Sequence, residues 1–455
     1  MTTSIKSVMH IILLGVIVAV IMSPLVHASK YSLKDAMIKA QTEDPWLQGN
    51  YHEQQHHVAQ SIILSSLPDP VISLGLANMP VDSFDFSDEN MTQLKIGVSQ
   101  TFPRGETLSL RKQKFQKLSE GQPYKREDRK AKISIITAHL WLDAFRYQSA
   151  IDLIKQDRSL FEYLVDVTHS NYTSANGRTR QQDLIRAQLE LTRLEDRLTT
   201  LKMHYDKNIA QLSVILDDPF VSLDTDFDVG GESLYDSLKA HIDSLNSHSS
   251  EQLQQHISSI LIQHPSILSI DKKILASDAD VRIAEQGYKP QWGINASYAY
   301  RDDMPTGEDR ADLFSVGVSL NMPIFTRTPQ DEGVKSAKSQ FHASQVERDL
   351  ALRTMKSNFQ QFLIIYMRLQ QRQSLFNTDI LEDMSEQAEA SLTAYTNDDG
   401  DFSEVIRARI AELNTSIEAL NINLELYKTM AELKYFYAGT DEFYDSQISP
   451  NLTHR

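Results

Sequence analysis

No cysteine occurs among the 455 residues. Its absence excludes disulfides, thiolate metal sites, a thiol nucleophile and a lipid-modified N-terminal cysteine, and the chain tolerates an oxidising compartment without cross-links. Glycine (16), proline (14) and tryptophan (3) are scarce for this length. With so little punctuation, long uninterrupted helices must take up most of the chain, although its length would allow two or three ordinary domains. The formal net charge is −16. That balance argues against nucleic acid as a partner, since phosphate recognition needs grouped Lys and Arg.

Long apolar runs are absent after the first residues. Lys6 followed by the apolar stretch Ile11 to Met22 and the small residues around Val26-His27-Ala28 reads as an export signal over 1–28, with Ser29 starting the mature chain. The alternative is a retained anchor, for which the run is short.

What is present is a duplication. Pro45, Pro70, Gly97-Val98-Ser99 and Pro103 recur 220 residues later as Pro265, Pro290, Gly317-Val318-Ser319 and Pro323. A repeat of this kind makes both halves one architecture of helix, strand, loop, strand and long helix pair. The first repeat covers 29–216, with strands near 70–78 and 91–101 and a helical hairpin over about 106–216. The second covers 251–440, with strands near 291–300 and 311–321 and a hairpin over about 333–438. Between them, 217–250 is rich in Asp, Ser and Gly and reads as an equatorial surface insertion; 441–455 is a polar tail.

The four strand segments alternate in polarity. Ile72, Leu74 and Leu76 oppose Ser73, Gly75 and Ala77; Leu94, Ile96 and Val98 oppose Gln93, Lys95, Gly97 and Ser99. In the second half, Trp292, Ile294, Ala296, Tyr298 and Tyr300 oppose Gly293, Asn295, Ser297 and Ala299, while Phe314, Val316, Val318 and Leu320 oppose Ser315, Gly317 and Ser319. Runs of about ten residues with one apolar face suit tilted transmembrane strands. A soluble sheet with one wet face is the other reading. Four strands cannot close a barrel and an open edge cannot sit in lipid, so spanning strands require several chains to pool them.

The helices carry coiled-coil spacing. Leu184, Ala187, Leu191, Leu194, Leu198, Leu201, Tyr205, Leu212 and Ile215 form one seam, and Ile406, Ile410, Leu413, Ile417, Leu420, Leu424, Tyr427 and Ala431 repeat it. Each hairpin turns at a polar tip, around Gly177 in the first repeat and Gly400 in the second, where glycine supplies positive φ.

These features together make the chain similar to the TolC-like outer-membrane efflux family. The similarity rests on Ser32-Leu33 through Asp44-Pro45, on Pro70 before the first strand, and on two tip signatures, Tyr172…Gly177…Asp183-Leu184-Ile185-Arg186 and Tyr395…Gly400…Glu404-Val405-Ile406-Arg407. The resemblance implies a mainly α fold with a membrane β part. Long coiled-coil helices would form a periplasmic α-barrel, and a homotrimer would close one twelve-stranded β-barrel in outer-membrane lipid. It also implies a periplasmic adaptor and an inner-membrane pump of the RND type as partners. By the same resemblance Asp183, Arg186, Asp398, Asp399, Asp401, Glu404 and Arg407 belong to the gate and tip, and Gly177, Arg178, Arg180 and Gly400 to the adaptor contact. Some relatives place two acidic residues one turn apart where this chain has Glu404 then Arg407, which puts a purely anionic ring in doubt. The bland counterpart is a solvated cap with an i,i+3 pair.

The stretches Leu67-Pro68-Asp69-Pro70 and Phe102-Pro103-Arg104-Gly105 look most like the heavy-metal-efflux branch. Multidrug efflux and type I protein secretion use the same duct. A periplasmic structural coiled coil without a pore is the reading outside this class.

His52-Glu53-Gln54-Gln55-His56 matches a zincin helix, and His57 follows it. No further glycine and histidine continue the pattern, and the second repeat has Lys272 and Ala276 at the equivalent places. These histidines are weak metal candidates. Neither a catalytic grouping nor a phosphate-cradling loop stands out, so neither enzyme activity nor a cofactor is expected.

Overall fold

The computed structural model describes residues 29–173, 181–224, 235–245, 247–325, 327–397 and 400–440. The expected export signal at 1–28, the expected first hairpin tip with Gly177, Arg178 and Arg180, the acidic pair Asp398 and Asp399, part of the inter-repeat segment and the tail at 441–455 lie outside the described residues.

Strand β1 (Ser29–Tyr31) and helix α1 (Leu33–Glu43) open the first repeat, which continues with α2 (Pro45–Ile63), β2 (Val71–Ala77), β3 (Gln93–Phe102), α3 (Thr107–Thr173) and α4 (Gln181–Ile215). β4 (Val221–Leu223), α5 (Asp236–Leu245) and α6 (Ser250–Ile262) follow. The second repeat follows the same order with α7 (Pro265–Glu285), β5 (Gln291–Tyr300), β6 (Leu313–Asn321), α8 (Thr328–Leu375), α9 (Leu381–Thr396) and α10 (Phe402–Tyr435). Pro45 and Pro265 each occupy the first helical position, where a missing N–H costs nothing. One difference separates the halves: α3 is a single helix, whereas a π turn at Phe376–Ile380 joins α8 to α9. α3 is continuous even through Pro123, which leaves the Ser119 carbonyl without its helical donor.

Two compact units emerge, and each draws segments from both repeats. Among the described residues, the first combines Ser29–Asp44 with Lys132–Asp243 and Phe362–Leu433. Its core joins Ala150, Ile154, Phe161 and Leu164 of α3 to Ala187 and Leu194 of α4 and to Phe402, Val405, Ile406, Leu413 and Ile417 of α10. Both expected seams therefore face one shared interior, where each fully buried Leu, Ile or Phe contributes about 1.5–3 kcal/mol. In the same unit β1 pairs in parallel with β4, and the buried Trp141 donates from Nε1 to the Tyr31 carbonyl at 2.9 Å. The described part of the inter-repeat segment within this unit packs as well: Tyr235, Leu238 and Ile242 are buried at helical spacing.

The second unit combines Pro45–Ala131, Ser244–Gln361 and the chain from Lys434 on. It holds an antiparallel sheet of order β2-β3-β5-β6. Ile267, Ala276, Ala279 and Val281 of α7 are buried, and the buried His264 caps that helix by accepting from Ser266 N.

Candidate functional site

The pairing register turns four alternating strands into one two-faced sheet. Ile72 stands opposite Val98, Leu74 opposite Ile96, and Leu76 opposite Leu94. β5 continues the same rows, with Val98 opposite Ala296, Ile96 opposite Tyr298 and Leu94 opposite Tyr300. β6 completes them, since Ala296 meets Val316, Ile294 meets Val318, Trp292 meets Leu320 and Tyr298 meets Phe314. The alternating apolar rows thus share one face, whereas Val71, Ala77, Ala299 and Leu313 fall on the other. The other face carries the rows Ser73–Gly97–Ser297–Ser315 and Ser99–Asn295–Gly317.

The apolar face is uncovered: Ile72 and Leu74 are each 74% exposed and Phe314 71%. Contiguous apolar area of this kind marks contact with lipid or a partner. Its aromatics lie toward the two ends, Tyr298, Tyr300 and Phe314 at one and Phe102 and Trp292 at the other. Amphipathic and aromatic rings in two bands are what membrane interfaces favour. Gly97 has a close-approach reason to lack a side chain, because a Cβ there would stand 2.8 Å from Ser73 Oγ. At one end of the sheet the two connecting loops are fastened together: Arg310 donates to the carbonyls of Ser87 (3.0 Å) and Glu89 (3.3 Å). β2 and β6 form the outer edges and have no further neighbour in this chain among the described residues.

The first unit carries the second hairpin tip. Asp401 caps α10, its Oδ1 accepting from Ser403 N at 2.9 Å and its carbonyl from Glu404 N at 3.0 Å. One turn on, Arg407 donates to Glu404 at 2.6 Å, and both side chains are exposed. Such a pair contributes a few tenths of a kcal/mol. Asp183 is half-buried and Arg186 exposed in the first turns of α4. Gly400 is held by close approach, since a Cβ would lie 2.7 Å from the Tyr395 nitrogen and 2.9 Å from the Ala394 carbonyl carbon.

Sequence reasoning missed the stronger lock beside this tip. Arg409 of α10 donates to Glu389 of α9 at 2.6 Å and to Glu412 at 2.9 Å, with little of its side chain exposed. Asp157 of α3 belongs to the same electrostatic group. Burial pushes its carboxyl above the ordinary value, Glu412 adds to that shift, and Arg409 opposes it. Arg197 of α4 donates to Asn414 of α10 at 2.6 Å, and Arg372 of α8 to Glu418 at 2.6 Å. The Glu412 spacing was visible in sequence; Glu389, across the turn, was not.

His52 and His56 are exposed on α2, and His57 Nε2 lies 3.4 Å from Glu53. Burial lowers the His57 pKa, Glu53 opposes that shift, and His56 and Lys125 add to it. Among the described residues no group of three or more His, Asp or Glu side chains is placed to hold a metal. None of the described helices is long and apolar enough to cross a membrane.

This arrangement of two-faced sheet and paired helical hairpins is that of a class of solved proteins, the outer-membrane channels. The chain superposes on the outer-membrane channel OprN with a TM-score of 0.73, at 13% identity and 90% coverage of both chains. It superposes equally well on the Campylobacter jejuni CmeC outer membrane channel, with a TM-score of 0.71 at 14% identity, over 90% of this chain and 85% of that one. No family model matches the sequence. A stretch of 105 residues is 29% identical to the outer membrane efflux protein BepC of Brucella suis biovar 1, and it spans 23% of each chain.

Proposed function

We propose that this chain is the outer-membrane exit duct of a tripartite efflux pump. The observation that carries the reading is the sheet with its alternating apolar rows gathered on one face and, among the described residues, with β2 and β6 as open edges. An open edge in lipid leaves several unsatisfied backbone groups, each costing several kcal/mol, so the edges must be paired by other copies. Three copies pooling four strands close a twelve-stranded barrel with an apolar exterior and a Ser/Gly/Asn-rich lumen. Transport is passive and gated. Asp401, Glu404 and Arg407, with Asp183, Arg186, Asp398 and Asp399, form the gate region; Gly177, Arg178, Arg180 and Gly400 meet a periplasmic adaptor. That adaptor couples the duct to an inner-membrane pump of the RND type. The BepC match and the fold support this reading.

Heavy-metal cations are the proposed cargo, supported by the stretches 67–70 and 102–105 and by the acidic tip residues, which symmetry would triple. A deletion strain tested for growth on a metal panel and on a panel of dyes, detergents and antibiotics decides this. Sensitivity confined to metals supports the cation reading. Sensitivity to organic compounds overturns it and leaves a drug-efflux duct.

A further inference from the structure

Within the second unit, a cleft of about 410 Å³ opens among α2, α3, α7 and α8. Lys117 and Lys125 of α3 and Lys272 and Lys273 of α7 line it, against a single lining carboxylate, Glu347 of α8. Lys117 and Lys272 share one neighbour, Glu120, at 2.9 and 2.6 Å. Lys273 pairs with Glu347 at 2.6 Å. Lys125 makes no ion pair among the described residues, and its charge acts on the adjoining His57. His57 forms part of the wall, and its Nδ1 is buried without a hydrogen-bond partner. The helices meet so closely here because residue 121 is glycine; a Cβ on it would stand 3.3 Å from Lys272 Cβ.

Four ammonium groups against Glu120, Glu347 and the Glu53 that adjoins His57 leave an excess of positive charge. In a chain of net charge −16 that concentration does not follow from composition. Ammonium groups on flexible stems act as point charges toward phosphate and need no planar fork. Walls formed by four helices strengthen their field relative to open solvent. We infer that this cleft binds a phosphate-bearing anion, either the headgroup of a lipid or a small soluble phosphate compound.

The full chain in detergent is titrated with inorganic pyrophosphate by calorimetry, and native mass spectrometry follows its release from phosphatidylglycerol nanodiscs. Saturable pyrophosphate binding assigns the soluble source. Retained lipid adducts with a silent titration assign the headgroup. In either arm Lys125→Glu should weaken binding at least tenfold and Lys125→Gln a few-fold, while Lys335→Glu, on an exposed part of α8, leaves it unchanged. Should Lys125→Glu fail to fold, the Gln variant decides. Binding absent from both arms, or weakened equally by Lys335→Glu, overturns the inference. The measurement does not depend on channel activity, so it stands apart from the efflux reading.

Discussion

At the residue scale, buried charges separate from exposed ones by what each costs. Lys428 is 8% exposed and holds Asp143 at 2.6 Å and Glu425 at 3.0 Å. Replacing it with Met removes the buried cation from two partly buried carboxylates, leaving them Arg146 alone, at 2.8 Å from Asp143 and 3.7 Å from Glu425. Thermal or chemical unfolding should show a loss of about 1–3 kcal/mol; an unchanged midpoint would remove Lys428 from the stabilising network. Asp157 behaves in the opposite sense. Its folded pKa lies above the ordinary 3.8, so its contribution is fully present below that pH and is lost as pH rises through the folded value. Asp157→Asn should therefore raise the melting temperature near neutral pH, with the gain vanishing in acid. A gain that does not vary with pH would contradict the burial argument. The exposed Glu404–Arg407 pair should barely affect stability when both become Ala. Its proposed gating role predicts a larger single-channel conductance in that double variant, and an unchanged conductance removes the pair from the gate.

At the scale of elements, the alternating strands and the heptad seams were legible because each is set by local spacing. Leu194, Leu413 and Ile417 had to face a helical neighbour, and Leu74, Ile96, Tyr298 and Val316 had to share a side, whatever the rest of the chain does. The duplication supplied the order of the parts. What escaped was set by contacts across elements. Glu389 reaches Arg409 only because α9 and α10 pack antiparallel at the turn. Tyr235, Leu238 and Ile242 form a stripe hidden within a segment whose Asp, Ser and Gly suggested only surface. The π turn at Phe376–Ile380 leaves no compositional mark. At Gly400 the sequence suggested a positive φ, whereas the described geometry gives close approach to Tyr395 as a reason for glycine. The two faces of the sheet yield a paired test. Val316→Arg, on the apolar face, should cost about 2–4 kcal/mol of membrane stability and lower the assembled yield. Ser315→Arg, on the opposite face, should assemble normally and alter conductance. Equal tolerance of both would mean that the apolar face does not meet lipid.

At the scale of the whole molecule, the central claim is that one chain is an incomplete channel. Each compact unit takes segments from both repeats, so truncation to a single repeat should leave neither unit intact. Circular dichroism and native mass spectrometry of residues 29–216 should find a chain without cooperative unfolding. Among the described residues the sheet has two open edges, and the proposed trimer would pair them by closing twelve strands. The most direct measurement is single-channel recording of the purified full chain in planar lipid bilayers, with the mass of the inserted species determined in parallel. The account predicts discrete, uniform conductance steps from a trimer. A folded protein that inserts no pore, or that remains a soluble monomer with its sheet exposed to water, would contradict it.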